Sequence, residues 1–134
     1  MVKLSNISAS FSDSIIFLCK GKCMEVSVVR KTQAKLFLEG PEVCRRYFKT
    51  DRITFGSSEL LPGQTGAIDT GHKASHEVFY VSRGHVILRT PDSNNSYELF
   101  EGDAIIMPEG VPHELTNIGM EPALITWSLA PSEF

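Results

Sequence analysis

The chain has 134 residues, of which 42% are hydrophobic and 22% are charged, which is the composition of one globular domain rather than of a disordered chain. Its formal net charge is −3, which argues against a protein that holds nucleic acid mainly through the phosphates. The apolar runs, such as residues 15–19, are far shorter than the roughly 20 residues that a membrane-spanning helix needs. We therefore expect no nucleic acid and no membrane among its partners. A polar stretch at 5–14, where a signal peptide would be apolar, predicts a cytoplasmic protein.

Short runs rich in β-branched and aromatic residues, separated by glycine and proline, indicate an all-β chain. Nine of the ten glycines and all seven prolines lie at residue 40 or later. The predicted strands, in chain order, are 15–19, 24–30, 35–38, 52–60, 77–81, 86–89, 97–100, 104–107 and 122–129. Segment 39–46 is a short helix candidate, with a turn at its Gly-Pro pair as the alternative. Residues 82–85 predict a hairpin turn in which glycine supplies a positive φ.

The three cysteines are Cys19, Cys23 and Cys44. An odd number without an export signal indicates reduced thiols in a cytosolic protein. Cys19 and Cys23 lie four residues apart, but no second pair of ligands lies near them to complete a zinc site. We interpret all three as structural residues and leave a metal or redox role open as the alternative.

Histidine, glutamate, proline and glycine recur at fixed spacings between residues 66 and 117. The first run contains G-x5-H and E-x6-G, formed by Gly66, His72, Glu77 and Gly84. The second run is G-x5-P-x4-H-x3-N, formed by Gly102, Pro108, His113 and Asn117. Together these runs resemble the two motifs of the cupin superfamily, over about residues 52–130. The second motif is met at every fixed position.

This resemblance implies a small single-domain protein with a cupin-type antiparallel β-barrel, also described as a double-stranded β-helix or jelly roll. A strand-rich N-terminal extension would precede the motif region, 52–130. We expect residues 1–14 to form an N-terminal segment, which its polar composition would allow to be flexible, and residues 15–134 to form the single cupin domain. Small cupins are commonly homodimers, and the N-terminal strands are suited to cover the edges of a partner's sheet.

The first motif departs from the family pattern, in which H-x-H is followed by glutamate, because one histidine is missing. Depending on the register, Thr70 or Ala74 occupies its place. The resemblance therefore implies a metal site at His72, Glu77 and His113. Two imidazoles and one carboxylate can hold a divalent ion such as Fe, Mn, Ni or Zn with positions left open for water or substrate.

Two further side chains are candidates for the lost ligand position. Thr70 could hold a metal-bound water if it shares a face with His72, as alternation along a strand would require. His76 would replace the lost imidazole only if the chain between His72 and Glu77 is irregular, because neighbours in a regular strand face opposite sides.

The function expected from this site is the binding of a small polar or anionic molecule at a divalent metal ion, with its conversion as a possible further step. An enzyme of this kind would be a metal-dependent dioxygenase, isomerase or lyase. The alternative is a non-catalytic cupin that acts as a ligand sensor or dimerisation module with a degenerate metal site. A barrel of this type does not by itself determine a reaction.

Overall fold

The structure is a computed structural model that describes residues 24–133. These residues form nine strands, preceded by a single 3-10 turn at Lys31–Gln33. The strands are β1 (Lys35–Glu39), β2 (Glu42–Lys49), β3 (Thr54–Leu60), β4 (His76–Arg83), β5 (His85–Thr90), β6 (Asn95–Phe100), β7 (Ala104–Met107), β8 (Glu114–Asn117) and β9 (Ala123–Ala130). The predicted strand 15–19 lies outside the described residues, as do Cys19 and Cys23.

Two antiparallel sheets enclose the core. The larger sheet has the order β1-β2-β3-β9-β4-β7, and the smaller has the order β6-β5-β8. Apolar side chains from both sheets meet between them, including Val81 of β4, Leu88 of β5 and Ile125 of β9, all of which are fully buried. This confirms the predicted all-β cupin fold, because alternating residues of strands such as β4 and β5 face one interior between the two sheets.

Strand β4 shows how alternation separates the two faces of the larger sheet. Glu77, Phe79 and Val81 are buried and face the interior, whereas Val78 and Tyr80 are exposed on the outer face. In a regular neighbouring strand, the same alternation turns every second side chain towards the interior. The site residues of β4 are therefore fixed by the same pattern that builds the core.

Two local predictions were wrong, and of the two alternatives for segment 39–46 the turn at Gly40 was right. Residues 24–30 lie outside any strand, and Met24, Val26 and Val28 are exposed by 70%, 103% and 66%. Segment 39–46 holds no helix, because Gly40, with a φ of +60°, turns the chain from β1 directly into β2. The turn at Gly84 has the expected positive φ but connects no hairpin, since β4 and β5 belong to different sheets.

The asparagine that ends the second motif ties the two sheets together. Asn117 is completely buried, and its Nδ2 donates hydrogen bonds to the carbonyls of Leu60 (2.9 Å) and Glu121 (2.8 Å). Its Oδ1 accepts the backbone N–H of Gly119 at 2.9 Å. These bonds hold the end of β8 against the end of β3.

Among residues 24–133, no helix is long and apolar enough to cross a membrane.

Candidate metal centre and ligand pocket

The structure brings together the side chains of His72, Glu77 and His113. Oε2 of Glu77 lies 3.3 Å from Nε2 of His72 and 3.2 Å from Nε2 of His113. Glu77 and His113 are buried, with only 6% and 3% of their surfaces exposed. Among the described residues, no group donates a hydrogen bond of good geometry to the buried Glu77 Oε2, whose close polar neighbours are these two imidazole nitrogens.

The other ring nitrogen of each histidine has a hydrogen-bond acceptor. Nδ1 of His113 lies 2.9 Å from the carbonyl oxygen of Val111, and Nδ1 of His72 lies 3.1 Å from a carboxylate oxygen of Glu133. Because each of these acceptors requires a proton on Nδ1, each neutral imidazole directs its Nε2 lone pair towards Glu77. The Nε2 lone pairs of both histidines therefore point towards the carboxylate oxygen of Glu77, which also carries lone pairs.

Burial alone would lower the pKa of His113. The Glu77 carboxylate and the Val111 carbonyl outweigh that effect and hold the His113 pKa above its ordinary value. A positive charge is therefore favoured among these atoms, whether it is a proton or a bound cation.

A fourth side chain, Asp69, belongs to the same cluster and was missed in the sequence. Its Oδ2 lies 3.5 Å from Nε2 of His72, and Asp69, Glu77 and His113 offer ligand atoms within 4.8 Å of one another. The backbones of Asp69 and His113 exchange two hydrogen bonds of 2.8 and 2.9 Å, which places their side chains next to each other.

The chain around Asp69 explains why strand alternation did not point to it. Gly71 has a φ of +86°, and a Cβ there would lie only 2.8 Å from the backbone of Gly110, so only glycine fits. This residue breaks the alternation between Asp69 and His72, and both then face the cluster. The N–H of Gly71 also donates to Asp69 Oδ1 at 2.8 Å, which leaves Oδ2 for the centre.

Glu133 supports the cluster from outside. The segment after β9 returns across the start of β4, where Ser75 Oγ donates to the carbonyl of Pro131. Oε1 of Glu133 accepts the N–H of Ala74 at 3.0 Å, while Oε2 contacts His72. The Ala74 N–H, and then His72, hold the pKa of Glu133 below its ordinary value. A carboxylate on the distal nitrogen of a ligand histidine fixes the orientation of the ring.

The remaining candidate residues lie elsewhere. Thr70 is exposed, and Gly71 separates it from His72, so the two do not share a strand face. His76 is exposed and precedes the inward-facing Glu77, which directs it to the outer side of β4. His85 pairs with Glu98 at 2.7 Å on the smaller sheet and stacks on Phe100.

The cluster lies in a cavity of about 340 Å³ in the barrel, and aromatic rings form part of its wall. The ring of Trp127 lies over Gly56 of β3. A Cβ added to Gly56 would lie 2.2 Å from a carbon atom of this ring. Phe37 packs edge-on against Trp127 with ring centroids 6.4 Å apart, and Phe79 packs edge-on against His113 at 5.2 Å. Gly56 therefore makes room for the indole as a wall of the cavity.

Polar side chains on β1 and β2, namely Glu39, Glu42 and Cys44, also line the cavity. Burial raises the pKa of Glu42 to about 7 and that of the Cys44 thiol to about 12. Burial, and then Asp69 and Glu77, also raise the pKa of Glu39. Cys44 is a free thiol that remains protonated and lies 3.5 Å from Ser58 Oγ, so it is unreactive at neutral pH, as expected of a structural cysteine.

Comparison with known proteins shows relatives of the same fold. The chain superposes on KdgF from Halomonas sp. with a TM-score of 0.67 at 14% identity, covering 81% of this chain and 96% of that one. It superposes on the polyketide cyclase RemF from Streptomyces resistomycificus with a TM-score of 0.65 at 21% identity, covering 81% of each chain. At these identities the likeness concerns the fold.

A curated relative is an uncharacterised protein of Methanocaldococcus jannaschii, 33% identical over 54 residues. The matched segment spans 40% of this chain and 42% of the relative, so the chain corresponds to less than half of that protein's length. The model of the cupin domain family matches residues 56–129, which is more than half of the chain and includes both motifs. On this match, the protein belongs to the cupin family.

Proposed function

We propose that this cupin binds one divalent metal ion at His72, Glu77 and His113, with Asp69 at the position of the lost histidine, and that the ion binds a small polar or anionic molecule. The observation on which the proposal depends is the buried Oε2 of Glu77, which faces two imidazole nitrogens and has no hydrogen-bond donor among the described residues. An arrangement of acceptors without donors is stabilised by a cation.

The ligand atoms of Asp69, Glu77 and His113 lie within 4.8 Å of one another. His72 lies outside this group and contacts it through Glu77 and Asp69, so an ion shared by both histidines requires the His72 side chain to move inward. Two ligand atoms that each lie about 2.1 Å from an ion are roughly 3.0 Å apart at a right angle and roughly 3.4 Å apart at a tetrahedral angle. The contacts among the cluster atoms are 3.2, 3.3 and 3.5 Å. Imidazole and carboxylate donors without a thiolate suit Fe, Mn, Ni or Zn.

The chemistry that such an ion supplies is the polarisation of a ligand oxygen. The chain's own contribution is to hold the histidines in one tautomer and to exclude water with the aromatic wall. KdgF and the cyclase RemF are similar in fold to this chain, and the second is named for an enzymatic activity. We extend that likeness to a site that binds a small molecule, with its conversion as a hypothesis to be tested on the metal-loaded protein.

Elemental analysis of protein purified without an affinity tag, after supplementation with iron, manganese, nickel and zinc, tests the metal centre. We expect close to one divalent ion for each chain in the wild type and in His76→Ala, whose side chain is exposed. His113→Ala is expected to lose the ion, because it removes a buried ligand. A wild type without metal, or a His113→Ala variant with full occupancy, would contradict the proposal.

We also propose a homodimer, because the N-terminal part of the described chain exposes apolar side chains in alternation. Met24, Val26 and Val28 precede the edge strand β1, which itself exposes Leu36 and Leu38 by 60% and 67%. A segment with this alternation becomes half-buried only against another surface.

A dimerisation module with a degenerate metal site is the second candidate function. The elemental analysis separates it from a metal-dependent protein.

A further inference from the structure

We propose that Arg46 is the carboxylate anchor of the pocket, and that the ligand of this cupin is a small acid with a compact ring or chain between its carboxylate and an oxygen that reaches the metal. This inference deepens the proposed function and rests on it for the metal end of the ligand. The Arg46 end can be tested separately.

Arg46 is a half-buried cation that lines the cavity. Among residues 24–133, it forms no ion pair and no hydrogen bond through its side chain. Two other arginines differ, since Arg45 pairs with Glu59 at 3.4 Å and Nε of Arg89 donates to Glu114 at 2.7 Å. A guanidinium offers five donors in a planar fork that matches a carboxylate, so an unpaired one in a cavity is suited to an anionic ligand.

The strand register places Arg46 in line with the aromatic wall. Arg46 lies opposite Gly56, Gly56 lies opposite Trp127, and Trp127 lies opposite Phe79. Glu77 of the metal cluster lies two residues from Phe79 on β4, about 7 Å along the strand. A ligand held by Arg46 at one end would therefore cross Trp127 on its way to the metal cluster.

The volume of the cavity limits the body of this ligand. A volume of about 340 Å³ is near the lower end of the range for small-molecule sites, roughly 300–1,000 Å³, which indicates a small acid rather than a polymer. Glu42 keeps its proton up to a pH of about 7, so it adds little repulsion to an anion in this part of the pocket below that pH. The Trp127 ring supplies an apolar contact for the body of the ligand.

Two probes of the same shape, one with a charged carboxylate and one with a neutral carboxamide, test this anchor. They are trans-4-hydroxycyclohexanecarboxylate and the corresponding carboxamide, titrated into metal-free and zinc-loaded protein. The emission of Trp127 reports binding in the pocket, because the chain has only one tryptophan. We expect the wild type to bind the carboxylate at least about tenfold more tightly than the amide in both forms.

The variants assign that preference to one side chain. Arg46→Met is expected to bind the two probes equally, and Arg46→Lys is expected to recover only part of the preference, since an ammonium lacks the planar fork. Arg45→Met is the matched control, because Arg45 is the next residue on β2 and pairs with Glu59 on the outer face. It is expected to keep the full preference.

The inference is overturned if neither probe changes the emission of the wild type, if both probes bind equally, or if Arg46→Met keeps the preference. Loss of the preference in Arg45→Met as well would also overturn it. The metal-free arm separates this result from the proposed metal centre. A wild type that prefers the carboxylate but takes up no zinc would refute the metal centre and leave the anchor intact. A zinc-loaded wild type that binds both probes equally would refute the anchor and leave the metal centre intact.

Discussion

The buried carboxyl of Glu42 makes the stability of the metal-free protein depend on pH. Only 5% of Glu42 is exposed. Its carboxylate packs so closely against Gly66 that a Cβ added to that glycine would lie 2.1 Å from Glu42 Oε2. Burial raises its pKa from 4.5 to about 7 in the folded state. Between these two values the unfolded chain releases this proton while the folded chain keeps it. The contribution of Glu42 is therefore fully favourable below the unfolded pKa and is lost as the pH rises through about 7.

The size of this effect follows from the two pKa values. A difference between 4.5 and about 7 corresponds to about 3 kcal/mol of unfolding free energy, at about 1.4 kcal/mol for each pKa unit. Glu42→Gln removes the ionisation and keeps the shape of the side chain. We therefore expect the metal-free variant to be about 3 kcal/mol more stable than the wild type near pH 8, and similar to it near pH 4.

Urea unfolding of metal-free protein, followed by Trp127 emission at several pH values, measures this difference. The matched control is Glu101→Gln, because Glu101 is exposed in the turn before β7. The control is expected to follow the wild type at every pH. An identical pH dependence of the unfolding free energy in Glu42→Gln and the wild type would show that Glu42 ionises normally in the folded protein.

Three further substitutions test packing and association. Asn117→Ala leaves two backbone carbonyls and one N–H without their buried partner, so we expect urea unfolding to show a loss of about 2–4 kcal/mol. Gly56→Ala displaces the indole of Trp127 and is expected to lower the unfolding free energy by about 1–3 kcal/mol with a red shift of its emission, and unchanged emission would contradict the packing described. Light scattering is expected to give a dimer mass for the wild type and a monomer mass for Val26→Glu, whose side chain is fully exposed in the single chain. Met120→Glu, at an apolar site that is 93% exposed outside the N-terminal segment, is the control, and a monomeric wild type would refute the dimer.

The all-β class was predictable from the spacing of the strands, and the cupin fold was predictable from the resemblance of the two motifs to those of the family. From residue 40 onwards, glycine and proline interrupt the chain about every ten residues, and the apolar runs predicted between them lie in strands of the two sheets. Strand β2 was missed because Glu42, Arg45 and Arg46 interrupt the apolar alternation of a strand, which left segment 39–46 as a helix candidate or a turn. Glu42 and Arg46 line the cavity. The alternation of apolar and polar residues is therefore interrupted on β2, where polar side chains form part of the cavity wall.

The candidate site was predictable only as far as sequence spacing defines it. The structure brings His72, Glu77 and His113 together, and they are the residues that the motifs indicate. Asp69 was not predictable, because its position depends on the backbone bridge to His113 and on the positive φ of Gly71. The contact of Glu133 with His72 joins residues that are 61 positions apart, which no local pattern encodes.

The alternation along the strands of the larger sheet also has a consequence for how such a protein can diverge. Arg45 and Arg46 are adjacent in the chain, yet one contacts the exterior and the other the cavity, and the same holds for Phe79 and Tyr80. Substitutions at every second codon of these strands therefore change the lining of the cavity, while those at the codons between them change the outer face of the sheet. Natural variation can thus reshape the cavity without altering the outer face, or the reverse.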